Sequence, residues 1–203
     1  MRTLLFLLLP LLTIFSLRLT AQSKALSPAQ YDALTLRDKI AYDLNHPKSY
    51  SQMCSAIPFR DSSAWRIYSN LPPLVDGLRT WSESQRDLFS KNRDSTIQVV
   101  MATIGQNGAG VELLTIIVDL NAKELIPLLI DSYHSDRSNH YILTALLLLM
   151  SNNDYSEFLR SQQYAQLYSE KLSARIDYLP YTTKNIDFIL QQATSFYHAS
   201  VRQ

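Results

Sequence analysis

VELLTIIVDL at 111–120, ELIPLLI at 124–130 and YILTALLLLM at 141–150 follow one another with only short polar breaks between them. Wound as helices, these runs are apolar on nearly every face, and a helix of that kind must be covered on most sides by other helices. None approaches the about 20 apolar residues that a bilayer-spanning helix needs. They therefore predict the centre of an all-α domain, residues ~95–150, wrapped by the segments before and after it. Breaks at Asn107-Gly108, Asn121 and Ser135-Asp136-Arg137-Ser138 divide this centre. Helices are expected at about 94–106, 109–120, 122–133 and 138–151. Leu128 and Leu147 are expected in the core. The chain has only four glycines, too few for the many turns of a β-sandwich or barrel.

The flanks carry helical signals too. Ser27-Pro28, with Gln30 completing a box-like start, opens a helix running to about Asn45. Pro47 opens a second short helix ending before Pro58. Asp61-Ser62-Ser63 caps a third, carrying Trp65, Ile67 and Tyr68 towards Leu71. Pro72-Pro73 then breaks the chain, since neither residue donates a backbone hydrogen bond. Residues 71–80 form the main irregular connection and a possible sub-domain seam, followed by a helix over about 82–92. Beyond the centre, Tyr155, Phe158, Leu159, Tyr164, Leu167, Tyr168 and Leu172 pattern a helix over 154–173. Thr183 caps the last one, where Ile186, Ile189, Leu190, Ala193, Phe196 and Tyr197 form one stripe and Lys184, Asp187, Gln191 and Gln192 fall mostly away from it.

Glu124-Leu125-Ile126-Pro127-Leu128-Leu129-Ile130-Asp131, a polar turn with Asp136-Arg137, and an apolar helix from Tyr141 make a helix–turn–helix unit. With the two helices before it, this stretch resembles two consecutive hairpins of the HEAT type, over residues 94–151 and with an offset of about 28 residues. That resemblance implies α-α hairpin packing and an interaction scaffold, without naming a ligand.

The N-terminus predicts export. Arg2 is followed by the 15-residue uncharged run Thr3–Leu17, and Leu19-Thr20-Ala21 ends it with a small residue before Gln22. The run is short for a membrane anchor, contains Pro10 and is closed by Arg18. Residues 1–21 are expected to be cleaved as a signal peptide near Ala21-Gln22. A secreted or periplasmic all-α domain over 22–203 would remain, with no stable membrane anchor. Loss of Arg2 and Arg18 lowers Lys plus Arg from 19 to 17, against 18 Asp plus Glu. A near-neutral protein has no general electrostatic reason to seek nucleic acid. Cys54 is the single cysteine and has no internal disulfide partner; it reads as a small buried apolar residue, the other uses being a nucleophile or an intermolecular bridge.

Four places could carry chemistry or binding. Asp131, His134, Asp136 and His140 crowd one helix–helix turn and offer imidazole and carboxylate to a metal, although their spacing matches no standard site and a solvated turn accounts for them equally. Gly105-Gln106-Asn107-Gly108-Ala109-Gly110 follows a helix instead of a strand, so it reads as a helix C-cap and linker and not as a phosphate loop. Asp119 with Glu124, or Asp154 with Glu157, are carboxylate neighbours of the kind glycoside hydrolysis uses. Of the 12 tyrosines, Tyr164 and Tyr168 lie one helical turn apart; they serve either core packing or an aromatic binding surface. No cofactor is expected, and the catalytic residues of any enzyme here stay unknown. The sequence favours a non-enzymatic module binding a protein partner in the periplasm or at the cell surface, the alternative being a small exported hydrolase, for example glycan-directed.

Overall fold

The computed structural model describes residues 25–47, 49–50, 66–71, 79–168 and 178–201. The export segment, Cys54 and most of the 47–58 helix and the 71–80 connection lie outside them. The chain divides into two units, Met1–Ala33 and Leu34–Gln203. In the first, α1 (Pro28–Asp32) starts as its sequence demands: the Ser27 hydroxyl accepts from the Gln30 amide, and the Gln30 side chain accepts from the Ser27 amide. The single helix expected over 28–45 is two. Thr35 is a second N-cap whose Oγ1 accepts from the Asp38 amide at 3.2 Å and opens α2 (Leu36–Asn45).

Among the described residues, the rest of the second unit holds helices and two short antiparallel ladders. One pairs β1 (Ser49–Tyr50) with β3 (Arg79–Thr80). The other pairs β2 (Arg66–Tyr68) with β4 (Tyr178–Pro180). The helix expected to carry Ile67 and Tyr68 is therefore β2. Its residues suit a strand because they alternate: Ile67 is fully buried, while Arg66 and Tyr68 are half-buried. Leu179, opposite Ile67, is also fully buried, so the ladder inserts one apolar pair into the core.

The central helices stand close to their expected places. They are α3 (Glu83–Lys91), α4 (Arg93–Asn107), α5 (Val111–Asp119), α6 (Ile126–Ser135) after a 3-10 turn at Lys123–Leu125, and α7 (Tyr141–Asn152). Ser82 and Gln85 close a capping box at the start of α3. Trp81 anchors α2 by donating from Nε1 to the Asp43 carbonyl at 3.1 Å, with its ring edge-on to Phe89. α7 is the hub: it packs against α5, α6, β2 and the C-terminal α10 (Thr183–Val201). Ile142, Leu143, Thr144, Ala145, Leu146, Leu147, Leu149 and Met150 are all buried, as an all-round apolar helix requires. Leu147 is wholly buried as expected, whereas Leu128 is only half-buried.

The helix expected over 154–173 is interrupted. α8 (Ser156–Leu159) ends at Arg160, and Ser161 caps α9 (Gln162–Leu167) by accepting from the Tyr164 amide at 3.0 Å. α10 follows its predicted stripe, with Ile189, Ala193 and Phe196 buried against the core. Its first cap is Thr182, one residue before the expected Thr183: the Thr182 carbonyl accepts from the Ile186 amide and its hydroxyl from the Asn185 amide.

Candidate functional site

The end of α4 and the start of α5 build one wall of the site. The Gly108 amide donates to the Ile104 carbonyl at 2.8 Å and closes α4 with a φ of 79°. A Cβ here would meet no atom within 4 Å, so glycine is needed for the backbone angle and not for space. Gly110 then N-caps α5 without a side chain. From the other side, Asn139 in the α6–α7 turn donates to the Ala109 carbonyl at 2.6 Å. This bond ties the two turns together.

Between them lies a groove of about 470 Å³. Half-buried Leu128 supplies its apolar surface over the buried Ile104 and Ile142; Asp131, Ser132, Ser135 and Asp136 supply a polar rim. A second depression of about 450 Å³ shares Asn107, Gly108 and Gly110 with it and adds Leu44, Thr103, Glu112 and Leu113. The glycine-containing linker is thus a low ridge between two shallow basins. Its reading as a C-cap and connection holds; what the sequence did not indicate is that the ridge borders an open groove.

The Asp131, His134, Asp136 and His140 set is not brought together as ligands. Among the described residues no group of three or more His, Cys, Asp or Glu is placed to hold a metal ion. Asp131 and Asp136 line the groove, but the two histidines do not. Asp136 is engaged in closing its own turn, where it accepts from the Ser138 hydroxyl and amide. Those bonds hold its carboxyl below the usual carboxylate range. His140 lies against Tyr141, with ring centroids 4.3 Å apart, and burial pushes its imidazole below the ordinary value.

Tyr164 and Tyr168 are half-buried and packed on the core, so they do not form an open face. Their rings lie 4.7 Å apart, and Tyr164 meets Phe158 edge-on at 5.3 Å. The Tyr168 hydroxyl donates to the Ser69 carbonyl at 2.9 Å and fastens the end of α9 beside β2. Burial, with a smaller contribution from Tyr164, pushes that phenol up to about 12. The more open aromatic is Tyr178, 38 % exposed, with the Arg66 guanidinium 4.3 Å from its ring centre.

Three of the four carboxylates have other partners. Glu124 is held by Arg93 through two bonds, Nη1 to Oε1 at 2.7 Å and Nη2 to Oε2 at 2.9 Å. The same guanidinium donates to the carbonyls of Leu120 and Asn121. Asp119 instead faces Arg86 at 3.8 Å. Burial raises its carboxyl and Arg86 opposes that rise. Glu157 accepts from Ser156, while Asp154 occupies the left-handed region at φ 49°. A cleft of about 560 Å³ is lined by Arg93, Lys123, Glu124, Tyr197 and Ser200 among others, but not by Asp119. Arg93 was not singled out from sequence, because nothing local marks an arginine whose partner lies 31 residues away.

Compared with known proteins, the chain matches no family model, no curated protein and no solved structure. No described helix is long and apolar enough to cross a membrane.

Proposed function

We propose that this chain is an exported helical binding module that takes a protein partner along the groove between the α4–α5 and α6–α7 turns. The observation that carries this reading is the groove itself, where half-buried Leu128, backed by the core residues Ile104 and Ile142, meets the polar side chains of Asp131, Ser132 and Ser135. Apolar contact area with a polar border is the usual make-up of a protein-binding patch. A scaffold of the HEAT type is supported by the succession of helix pairs, α4 then α5 and α6 then α7, with the groove lying at the turns within those pairs. Action in the periplasm or at the cell surface follows from the expected cleavage near Ala21-Gln22.

Site-specific photo-crosslinking in the producing cell tests the proposal. A photoreactive phenylalanine analogue at Ser135, on the groove rim, is expected to give a protein adduct of defined mass. The same group at Thr194, exposed on α10 and away from the groove, is expected to give none. Adducts absent at Ser135, or equal at both positions, would overturn it.

A further inference from the structure

Resting on the groove as a protein-binding site, we propose that its occupant is an extended polypeptide segment carrying lysine or arginine beside an apolar residue. Two features of the groove carry this, one of shape and one of charge.

The shape is a shallow trough that continues over a ridge. The two basins share Asn107, Gly108 and Gly110, so one strand-like segment laid across the ridge would enter both. Open space lies above Gly105 and Gly108, where an added Cβ would touch nothing within 4 Å. Another backbone can therefore approach this stretch closely. A folded domain would need a broader surface than this, and a small metabolite would be poorly enclosed by a trough open at both basins.

The charge is of one sign. Asp131 and Asp136 border the first basin and Glu112 the second, and among the described lining residues there is no lysine, arginine or histidine. Asp136 keeps its negative charge because the Ser138 amide and hydroxyl donate to it. An acidic or neutral segment would leave these carboxylates uncompensated, whereas a basic one would meet them at the rim while its apolar neighbour covered Leu128. Rim charges of this kind select partners and speed association more than they add affinity.

Fluorescence anisotropy with three labelled nonapeptides tests the inference on the mature protein. All are Gly/Ser chains with a central leucine, flanked by lysines, glutamates or serines. The lysine peptide is expected to bind about five- to tenfold more tightly than the glutamate peptide at low salt, and the difference is expected to shrink as salt rises. Asp131→Lys changes one exposed side chain and should move the preference towards the glutamate peptide. Asp136→Asn retains an acceptor for Ser138 and should reduce the preference while keeping the helical circular-dichroism signal. Equal binding of the three peptides, or a preference for lysine that survives Asp131→Lys, would overturn the inference. If the Ser135 crosslink persists in that event, the groove still binds protein and only the charge assignment falls. If the crosslink is lost as well, the binding reading falls with it.

Discussion

Arg93 shows how much one side chain settles at a helix junction. It stands at the first position of α4, grips Glu124 with two bonds and caps the carbonyls of Leu120 and Asn121, which close α5. Both side chains are partly open to water, so the ion pair alone is worth little. The two carbonyl bonds are what raise the cost of losing it. Arg93→Ala is expected to lower stability by about 1–2 kcal/mol in urea melts, against roughly 0.5 for Glu124→Gln, which keeps an acceptor. Burial works against ionisation of Glu124, but Arg93 outweighs it and holds the carboxyl below its usual range. A carboxyl lowered in the folded state contributes stability above its unfolded value of about 4.3 and loses it as pH falls through the folded value. The gap between wild type and Arg93→Ala should therefore be full at pH 7 and narrow below about pH 4. A gap independent of pH would show that only the carbonyl bonds matter.

At the scale of an element, α10 is the clearest case. An isolated helix of its length is marginal in water, so its stripe must dock to persist. It docks on α6 and α7, with Ile189 and Ala193 fully buried and the Phe196 ring tilted against Tyr155, centroids 5.3 Å apart. Phe196→Ala is expected to destabilise by about 3 kcal/mol, the low end for emptying a buried aromatic site because the last turn of a helix can settle. Deleting residues 183–203 should uncover the apolar sides of α6 and α7 and leave a protease-sensitive or aggregating remnant. A truncated chain that remains monomeric and equally stable would show that α10 is dispensable to the core.

Taken whole, the protein is organised around α7, which lies under α5, α6, α10 and β2. The groove is largely separate from that hub: among its described lining residues only Ile142 belongs to α7. Groove variants on exposed positions should therefore alter binding without loosening the core. N-terminal sequencing of material from outside the cytoplasm is expected to begin at or near Gln22; recovery of intact Met1 in the membrane fraction would contradict cleavage.

The local pattern was enough for the class of fold and for its centre. Runs such as YILTALLLLM can be satisfied only as covered helices, and caps such as Ser27-Pro28 and Ser82 act on amides three residues away, so the information is contained within one turn. What the tertiary structure decided are pairings over distance. Arg66–Tyr68 is a strand because Tyr178–Pro180 arrives beside it, and a short apolar alternation cannot announce that partner. Tyr168 turns inward because Ser69, 99 residues earlier in the chain, offers a carbonyl. Glu124 is an ion-pair partner because Arg93, 31 residues earlier in the chain, is brought beside it. The groove exists because Asn139 meets Ala109 across 30 residues. Sequence spacing encodes which face a helix buries; where a polar side chain finds its partner depends on which elements the core has already brought together.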